Sequence, residues 1–128
     1  MLHQPRALVV DDTALVRWAL HQSLHALGFE VVTAGTRTEM LERLIGSGFR
    51  LVVASPTVGR EDVTDLLETV RRQQPETAMI LLTADESIRE PKAWGERTLV
   101  FEKPFSVDEV RAAVHRLVPG CGRDSVAL

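Results

Sequence analysis

Four groups able to do chemistry stand at or just after the ends of apolar segments in this chain: Asp11, Asp12, Thr83 and Lys103. Adjacent carboxylates such as the first two repel each other unless a cation or a lysine shares their site, and hard oxygen ligands suit Mg²⁺. Taken alone, the acid pair is more simply explained as the cap of a helix, and the lysine before Pro104 as part of a turn. Their joint occurrence after separate apolar segments instead favours one shared site.

Five short segments rich in Val, Leu and Ile recur along the chain and are predicted to be strands: residues 6–10, 29–33, 51–54, 79–82 and 98–101. Four of them contain apolar runs without alternation, which is typical of strands that are covered on both faces. We therefore expect a parallel central sheet.

Helical patterns separate these segments. The first carries an apolar stripe of Val16, Leu20, Leu24 and Leu27 and stops at Gly28, where a left-handed cap fits. Capping-box spacings open the second helix, at residues 36 and 39, and the last, at residues 106 and 109. The second helix is expected to cover the sheet with Met40, Leu41, Leu44 and Ile45, and the third with Val63, Leu66, Leu67 and Val70. A fourth helix near residues 87–95 is expected to be short or displaced, because Pro91 falls within its first turn.

The alternation of strand and helix predicts an α/β fold, a doubly wound, flavodoxin-like (βα)5 domain with a five-stranded parallel sheet. Ligands of such sheets bind at the carboxyl ends of the strands, where the four groups above would meet. We assign residues 1–118 to this domain and residues 119–128 to a flexible tail or the stub of a linker.

Composition excludes several classes of protein. The chain has 128 residues, 45% of them apolar, which is enough for one buried core. A net charge of -3 without a cluster of basic residues argues against direct binding of nucleic acid, and no apolar run is long enough to span a membrane. The single cysteine, Cys121, allows no internal disulfide and favours a reducing compartment. A soluble cytoplasmic protein is expected.

Three motifs resemble the response-regulator receiver family of two-component signalling: Val9-Val10-Asp11-Asp12, Leu81-Leu82-Thr83-Ala84 and Lys103-Pro104-Phe105. The resemblance runs from about Arg6 to Leu117 and implies a receiver fold. In that family the acid pair holds Mg²⁺, and an aspartate ending the third strand accepts a phosphoryl group from a histidine kinase. The resemblance implies Asp11, Asp12 and Thr57 as metal positions and Thr83 and Lys103 as contacts of the phosphoryl oxygens.

The chain departs from the family at the phosphoacceptor position, which is Ser55. A serine hydroxyl is un-ionised at neutral pH and needs a general base to attack phosphorus, and no histidine lies at any of the strand ends. The change also removes one of three carboxylates, while Lys103 remains to pair with Asp11 and Asp12. We therefore predict that Mg²⁺ binding is weak or absent.

Other positions bear on switching. The family's mobile aromatic residue corresponds to Val100, and Phe101 is expected to replace it in part. Asp62 and Asp65 are interpreted as favourable charges at the start of the third helix, rather than as substitute phosphoacceptors. Asp85 is interpreted as a solvent-facing carboxylate of a loop.

The leading hypothesis is a receiver-like domain that works independently of phosphorylation, by binding a protein partner. That partner is a histidine kinase, an output or effector domain, or a second copy of the chain. The alternative is a receiver still switched by phosphorylation of Ser55 or a neighbouring acid, or by a small ligand. An enzyme on a flavodoxin-like sheet lacks support, because no glycine-rich phosphate loop follows a strand.

His21 and His25 lack a third metal ligand nearby and are interpreted as solvated, and Trp18 as partly exposed.

Overall fold

The computed structural model describes residues 4–45, 48–84 and 97–119. In chain order the elements are β1 (Arg6–Val10), α1 (Ala14–Ala26), β2 (Glu30–Ala34), α2 (Arg37–Leu44), β3 (Leu51–Ala54), β4 (Thr57–Val58), β5 (Glu61–Asp62), α3 (Thr64–Gln73), β6 (Ala78–Thr83), β7 (Thr98–Glu102) and α4 (Val107–Leu117). The predicted fourth helix at residues 87–95 and residues 120–128 of the predicted tail lie outside the described residues.

Five strands form one parallel sheet in the order β2-β1-β3-β6-β7. The predicted α/β fold is confirmed, and each strand lies within one residue of its predicted bounds at either end. Every residue of β3 and β6 is buried, as their uninterrupted apolar runs predict. Because all five strands are parallel, their carboxyl ends share one edge of the sheet.

Helices cover both faces of the sheet, so that the domain has two cores. Alternate side chains of each strand point to opposite faces. On one face the sheet packs against buried residues of α1 and α4: Leu20, Leu24, Val110 and Val114. On the other face it packs against buried residues of α2 and α3: Met40, Leu66, Leu67 and Val70. The apolar stripe predicted for α3 is confirmed, with Val63 as the residue that precedes the helix.

The second helix covers the sheet less completely than its composition indicates. Only Met40 of α2 is fully buried, whereas Leu41 and Ile45 are 46% and 73% exposed. The expectation that all four apolar residues of this segment face the sheet is therefore wrong. The helix is only eight residues long, and Ile45 already has extended backbone beyond its end, which turns that side chain away from the apolar stripe.

Capping hydrogen bonds and one glycine mark helix ends near the positions that the sequence predicts. Thr36 Oγ1 accepts a hydrogen bond from Glu39 N at 3.1 Å, while Glu39 Oε1 accepts one from Gly35 N at 2.7 Å. Ser106 Oγ caps α4 by accepting from Asp108 N at 3.1 Å, whereas Glu109 N donates to the backbone oxygen of Ser106. Among the described residues, the capping box predicted at residues 106 and 109 is therefore not formed. Helix α1 ends before Gly28, whose φ of 98° is the left-handed conformation that glycine adopts without a steric penalty.

A short antiparallel hairpin, β4 and β5, lies between β3 and α3, and the sequence patterns did not indicate it. Its two turn residues, Gly59 and Arg60, both have positive φ, at 58° and 70°. This is the backbone of a type I′ turn, whose twist matches that of a two-stranded hairpin. Val58 on its inner side is fully buried in the core beside α3.

Candidate functional site

The carboxyl edge of the sheet brings together residues from four strand ends. Backbone hydrogen bonds extend the ladders past the strands: Ser55 N donates to Val10 O at 2.9 Å, and Lys103 N donates to Thr83 O at 3.0 Å. The chain beyond β1, β3 and β7 is thus held in register with its neighbours. The side chains that follow these strands therefore start from fixed positions.

Asp11 is the centre of the site. It is fully buried, and its Oδ2 lies 2.6 Å from Ser55 Oγ and 2.9 Å from Lys103 Nζ. Its Oδ1 accepts a hydrogen bond from Thr13 N at 2.9 Å. Because an ionised carboxylate can only accept, the Ser55 hydroxyl is the donor in its contact. Both oxygens of this buried carboxylate are thus satisfied by groups of the protein.

These contacts decide the charge state of Asp11. Burial by itself raises the pKa of the Asp11 carboxyl, but hydrogen bonds from Ser55, Lys103 and Thr13 N, together with the lysine's charge, outweigh it. The pKa therefore lies below its ordinary value, and the group is a carboxylate at neutral pH. A carboxylate whose pKa is lowered is a weaker general base.

Asp12 does not share this cluster. Its side chain is exposed, and its Oδ2 accepts a hydrogen bond from Gly59 N, in the hairpin turn, at 3.0 Å. The two adjacent carboxylates therefore have separate partners. Thr57, which the resemblance named as a metal position, is an exposed residue of the hairpin, and in the part of the chain described no hydrogen bond joins it to either acid. Residues 4–45, 48–84 and 97–119 contain no group of three acidic, histidine or cysteine side chains with the spacing of a metal site.

Two further predicted positions lie beside the site. Thr83 is buried at the end of β6, next to the strand that leads to Lys103. Val100 is half-buried and packs into the core beside α2 and α3, whereas Phe101 packs into the core beside α1 and α4. Phe101 therefore lies on the opposite face of the sheet from Val100, because neighbouring strand residues point to opposite faces. That it replaces the family's aromatic residue in part stays a prediction.

Arg17 is a residue of the site that the sequence patterns did not single out for a role. Its Nη1 donates to the backbone oxygen of Asp11 at 2.6 Å, which braces the turn between β1 and α1. The guanidinium lies against Gly35, where an added Cβ would come within 2.6 Å of Nη1. Two features of the sequence could have indicated this contact. They are the glycine directly after β2 and the arginine six residues after Asp11.

The acids at the start of α3 have structural partners. Asp65 makes two hydrogen bonds of 2.7 Å to Arg37, and this contact lowers the pKa of Asp65 to about 2. Asp62 Oδ1 accepts from Thr64 N at 2.7 Å, and bonds from Thr64 hold the pKa of Asp62 below its usual range. Both acids thus lie at the start of α3, where Asp62 accepts from the first residue of the helix and Asp65 pairs with Arg37 of α2. Asp85 lies outside the described residues.

A groove of about 490 Å³ runs beside Lys103, between α1 and the segment leading into α4. Apolar side chains form most of its lining, including Leu15, Val16 and Phe105. Leu15 and Trp18 on α1 are 72% and 60% exposed, so the predicted partial exposure of Trp18 is confirmed. His21 and His25 stack with ring centroids 6.1 Å apart.

Comparisons with known proteins agree with this architecture. A model of the response regulator receiver domain matches residues 7–115. The chain is 31% identical to the response regulator MprA of Mycobacterium sp. (strain KMS), over 96% of this chain and 56% of that protein. It is 27% identical to NtrC, a DNA-binding transcriptional regulator of Escherichia coli (strain K12), over 86% of this chain and 24% of that protein.

Among solved structures, the chemotaxis response regulator CheY4 of Vibrio cholerae superposes with a TM-score of 0.76 at 24% identity, over 91% of this chain and 100% of that one. At this identity the likeness concerns the fold alone. The chain spans little more than half the length of MprA and about a quarter of NtrC. None of the described helices has the length and apolarity that a membrane span requires.

Proposed function

The chain belongs to the response regulator receiver domain family, and from this premise we propose that it acts in two-component signalling as a binding module that does not depend on phosphorylation. The observation that carries the proposal is the contact between Ser55 Oγ and Asp11 Oδ2, at 2.6 Å. A hydroxyl that donates to a buried carboxylate occupies the place of the family's nucleophile.

The chemistry of Ser55 supports this proposal. Transfer of a phosphoryl group to a hydroxyl requires a base to remove its proton. The only side chain to which Ser55 donates in the described structure is Asp11, whose lowered pKa makes it a weak base. The hydroxyl therefore has a structural partner and no activating one.

Weak or absent Mg²⁺ binding forms part of the proposal. Mg²⁺ takes oxygen ligands in nearly octahedral geometry and favours sites with more than one carboxylate. Here Asp11 is satisfied by three donors, Asp12 is turned to Gly59, and the third carboxylate is replaced by Ser55. The donor set does not fit the cation, so we propose no step that depends on it.

We propose a protein as the partner, namely a histidine kinase, an output or effector domain, or a second copy of the chain. Exposed Leu15 and Trp18 beside an apolar groove support a role in protein contact. The chain covers only part of MprA and NtrC. We therefore also propose that it acts together with an output region in a longer protein. We assign the described domain no catalytic activity of its own.

The test is the intact mass after incubation with a small phosphodonor and Mg²⁺, for the wild type, Ser55→Asp and Ser55→Ala. We expect phosphoryl uptake by Ser55→Asp alone, because that change restores the nucleophile among otherwise retained contacts. Uptake by the wild type but not by Ser55→Ala would overturn the proposal and identify Ser55 as the acceptor. Equal uptake by the wild type and Ser55→Ala would also overturn it and indicate a neighbouring acid.

A further inference from the structure

The outward side of α1 is apolar and carries no acidic, lysine or arginine side chain. Its exposed residues, all within the described range 4–45, are Ala14, Leu15, Trp18, Gln22, His25 and Ala26. Two of them are large apolar residues, Leu15 and Trp18, which are 72% and 60% exposed. Arg17 turns inward instead and donates to the backbone oxygen of Asp11. An exposed apolar surface of this kind is typical of a site that contacts another protein.

The groove beside Lys103 adjoins this side of α1, because Leu15 is part of its lining. Successive side chains of a helix are about 100° apart around its axis. Leu15 therefore lies at the crest between two flanks. Val16 and Ala19 lie on the flank that lines the groove, whereas Trp18 lies on the other flank, within one turn of them along the helix. The helix thus carries a protruding aromatic side chain on one flank and an apolar groove on the other, at the same level.

We propose that this surface binds a second copy of the chain, with Trp18 of each copy inserted into the groove of the other. Consider two copies that face each other across a two-fold axis parallel to α1. The rotation exchanges the two flanks of the helix and leaves every residue at its own level. It therefore places each Trp18 over the other copy's groove, near Val16 and Ala19. The contact is self-complementary, as an interface with two-fold symmetry has to be.

The chemistry of the groove supports an aromatic occupant. Its volume of about 490 Å³ leaves room for an indole side chain. Lys103 is the charged residue among the described lining residues, and its side chain is 30% exposed. An ammonium group is attracted to the face of an indole ring. Each copy has a net charge of -3, so a contact through an uncharged helix face also avoids placing like charges opposite each other.

The size of the surface sets the expected strength of the dimer. Helix α1 has 13 residues and is therefore about 20 Å long. A contact limited to this helix and the groove is smaller than a standard interface, which buries roughly 800 Å² on each partner. We expect a reversible dimer with a micromolar dissociation constant. The dimer deepens the proposed function and rests on it in one respect, since it forms without a phosphoryl group at position 55.

Sedimentation of the whole chain over a range of concentrations, without Mg²⁺ or phosphodonor, tests the dimer. We expect the wild type to pass from monomer to dimer, and Leu15→Glu to raise the dissociation constant by at least about tenfold, as changes at an interface centre do. Leu41→Glu is the matched control, because Leu41 is 46% exposed on α2, and it should leave the constant unchanged. A wild type that is still monomeric at about 1 mM would overturn the dimer. So would equal effects of the two substitutions.

A mixing experiment tests the insertion of Trp18 into the groove. Trp18→Ala removes the inserted side chain and keeps the groove, whereas Ala19→Arg fills the groove and keeps Trp18. Each variant alone should dimerise more weakly than the wild type. An equimolar mixture should associate more tightly than either, because Trp18 of one variant meets the open groove of the other. A mixture no tighter than its components would overturn the insertion, and urea unfolding confirms that both variants are folded.

The dimer and the proposed function fail separately. Phosphoryl uptake by the wild type overturns the proposed function without altering the sedimentation of the unmodified chain. A wild type that stays monomeric overturns the dimer without changing the intact mass after incubation with a phosphodonor.

Discussion

The residue at position 55 determines how the charge of Asp11 is balanced in the site. An aspartate at position 55 would place a second negative charge beside Asp11 and would require a cation between them. Ser55 supplies a donor instead, and Lys103 supplies the compensating charge at 2.9 Å. The buried carboxylate is therefore neutralised by the protein itself, which gives Asp11 a structural role.

Removing Asp11 should destabilise the domain strongly. We expect Asp11→Ala to lower the free energy of unfolding by about 3 kcal/mol, because it leaves the ammonium of Lys103, only 30% exposed, without its partner. Ser55→Ala should lower it by about 1 to 2 kcal/mol through the lost hydrogen bond. Urea unfolding at pH 7 measures both changes. Asp12→Ala is the exposed control, expected to change stability by less than about 1 kcal/mol; a loss equal to that of Asp11→Ala would refute this account.

Sequence reasoning identified the residue types of the site better than their contacts. The apolar runs locate the strand ends, and these ends locate Asp11, Ser55 and Lys103. The orientation of the Asp12 side chain depends on its hydrogen bond to the hairpin. The periodicity of hydrophobic residues does not indicate this hairpin. Arg17 was missed for a related reason, since an arginine on a helix is ordinarily solvated and its contact depends on the missing side chain of Gly35.

At the scale of elements, buried strands were easier to predict than the hairpin. β3 and residues 78–82 of β6 are uninterrupted apolar runs, which are typical of strands covered on both faces. β4 and β5 have two residues each, too few for an alternating pattern to appear. Gly59 was compatible with many turns, and Arg60 is not a residue that favours positive φ. The position of α3, by contrast, followed from its apolar stripe.

The hairpin turn should become more stable with a second glycine. A non-glycine residue in the left-handed region carries a strain of roughly 1 to 2 kcal/mol, and Arg60 has a φ of 70°. We expect Arg60→Gly to raise the free energy of unfolding by about 0.5 to 1 kcal/mol, after the greater flexibility of glycine in the unfolded chain is subtracted. Arg60→Ala keeps the strain and should leave stability nearly unchanged. Thermal and urea unfolding of the two variants give the comparison, and equal stabilities would contradict it.

For the molecule as a whole, three aspartates with lowered pKa values make stability depend on pH in the same direction. The pKa values of Asp11, Asp62 and Asp65 all lie below the ordinary 3.8. An aspartate of this kind stabilises the fold above its unfolded pKa, and that contribution is lost as the pH falls through the folded value. The unfolded chain therefore binds more protons than the folded chain between about pH 4 and pH 2. We expect acid to destabilise the domain through this window.

The variant Ser55→Ala/Lys103→Met should reverse the contribution of Asp11 to this pH dependence. It removes the hydrogen bonds from Ser55 and Lys103, and the charge of the lysine, all of which lower the pKa of Asp11. Burial, which raises this pKa and is the largest single influence on it, is then opposed only by the hydrogen bond from Thr13 N. The folded pKa then lies above the unfolded one, so that protonation of Asp11 favours the fold. Urea unfolding between pH 7 and pH 4 should show the variant gaining stability relative to the wild type as the pH falls. A difference between the two proteins that does not change with pH would mean that Ser55 and Lys103 do not set the charge state of the buried acid.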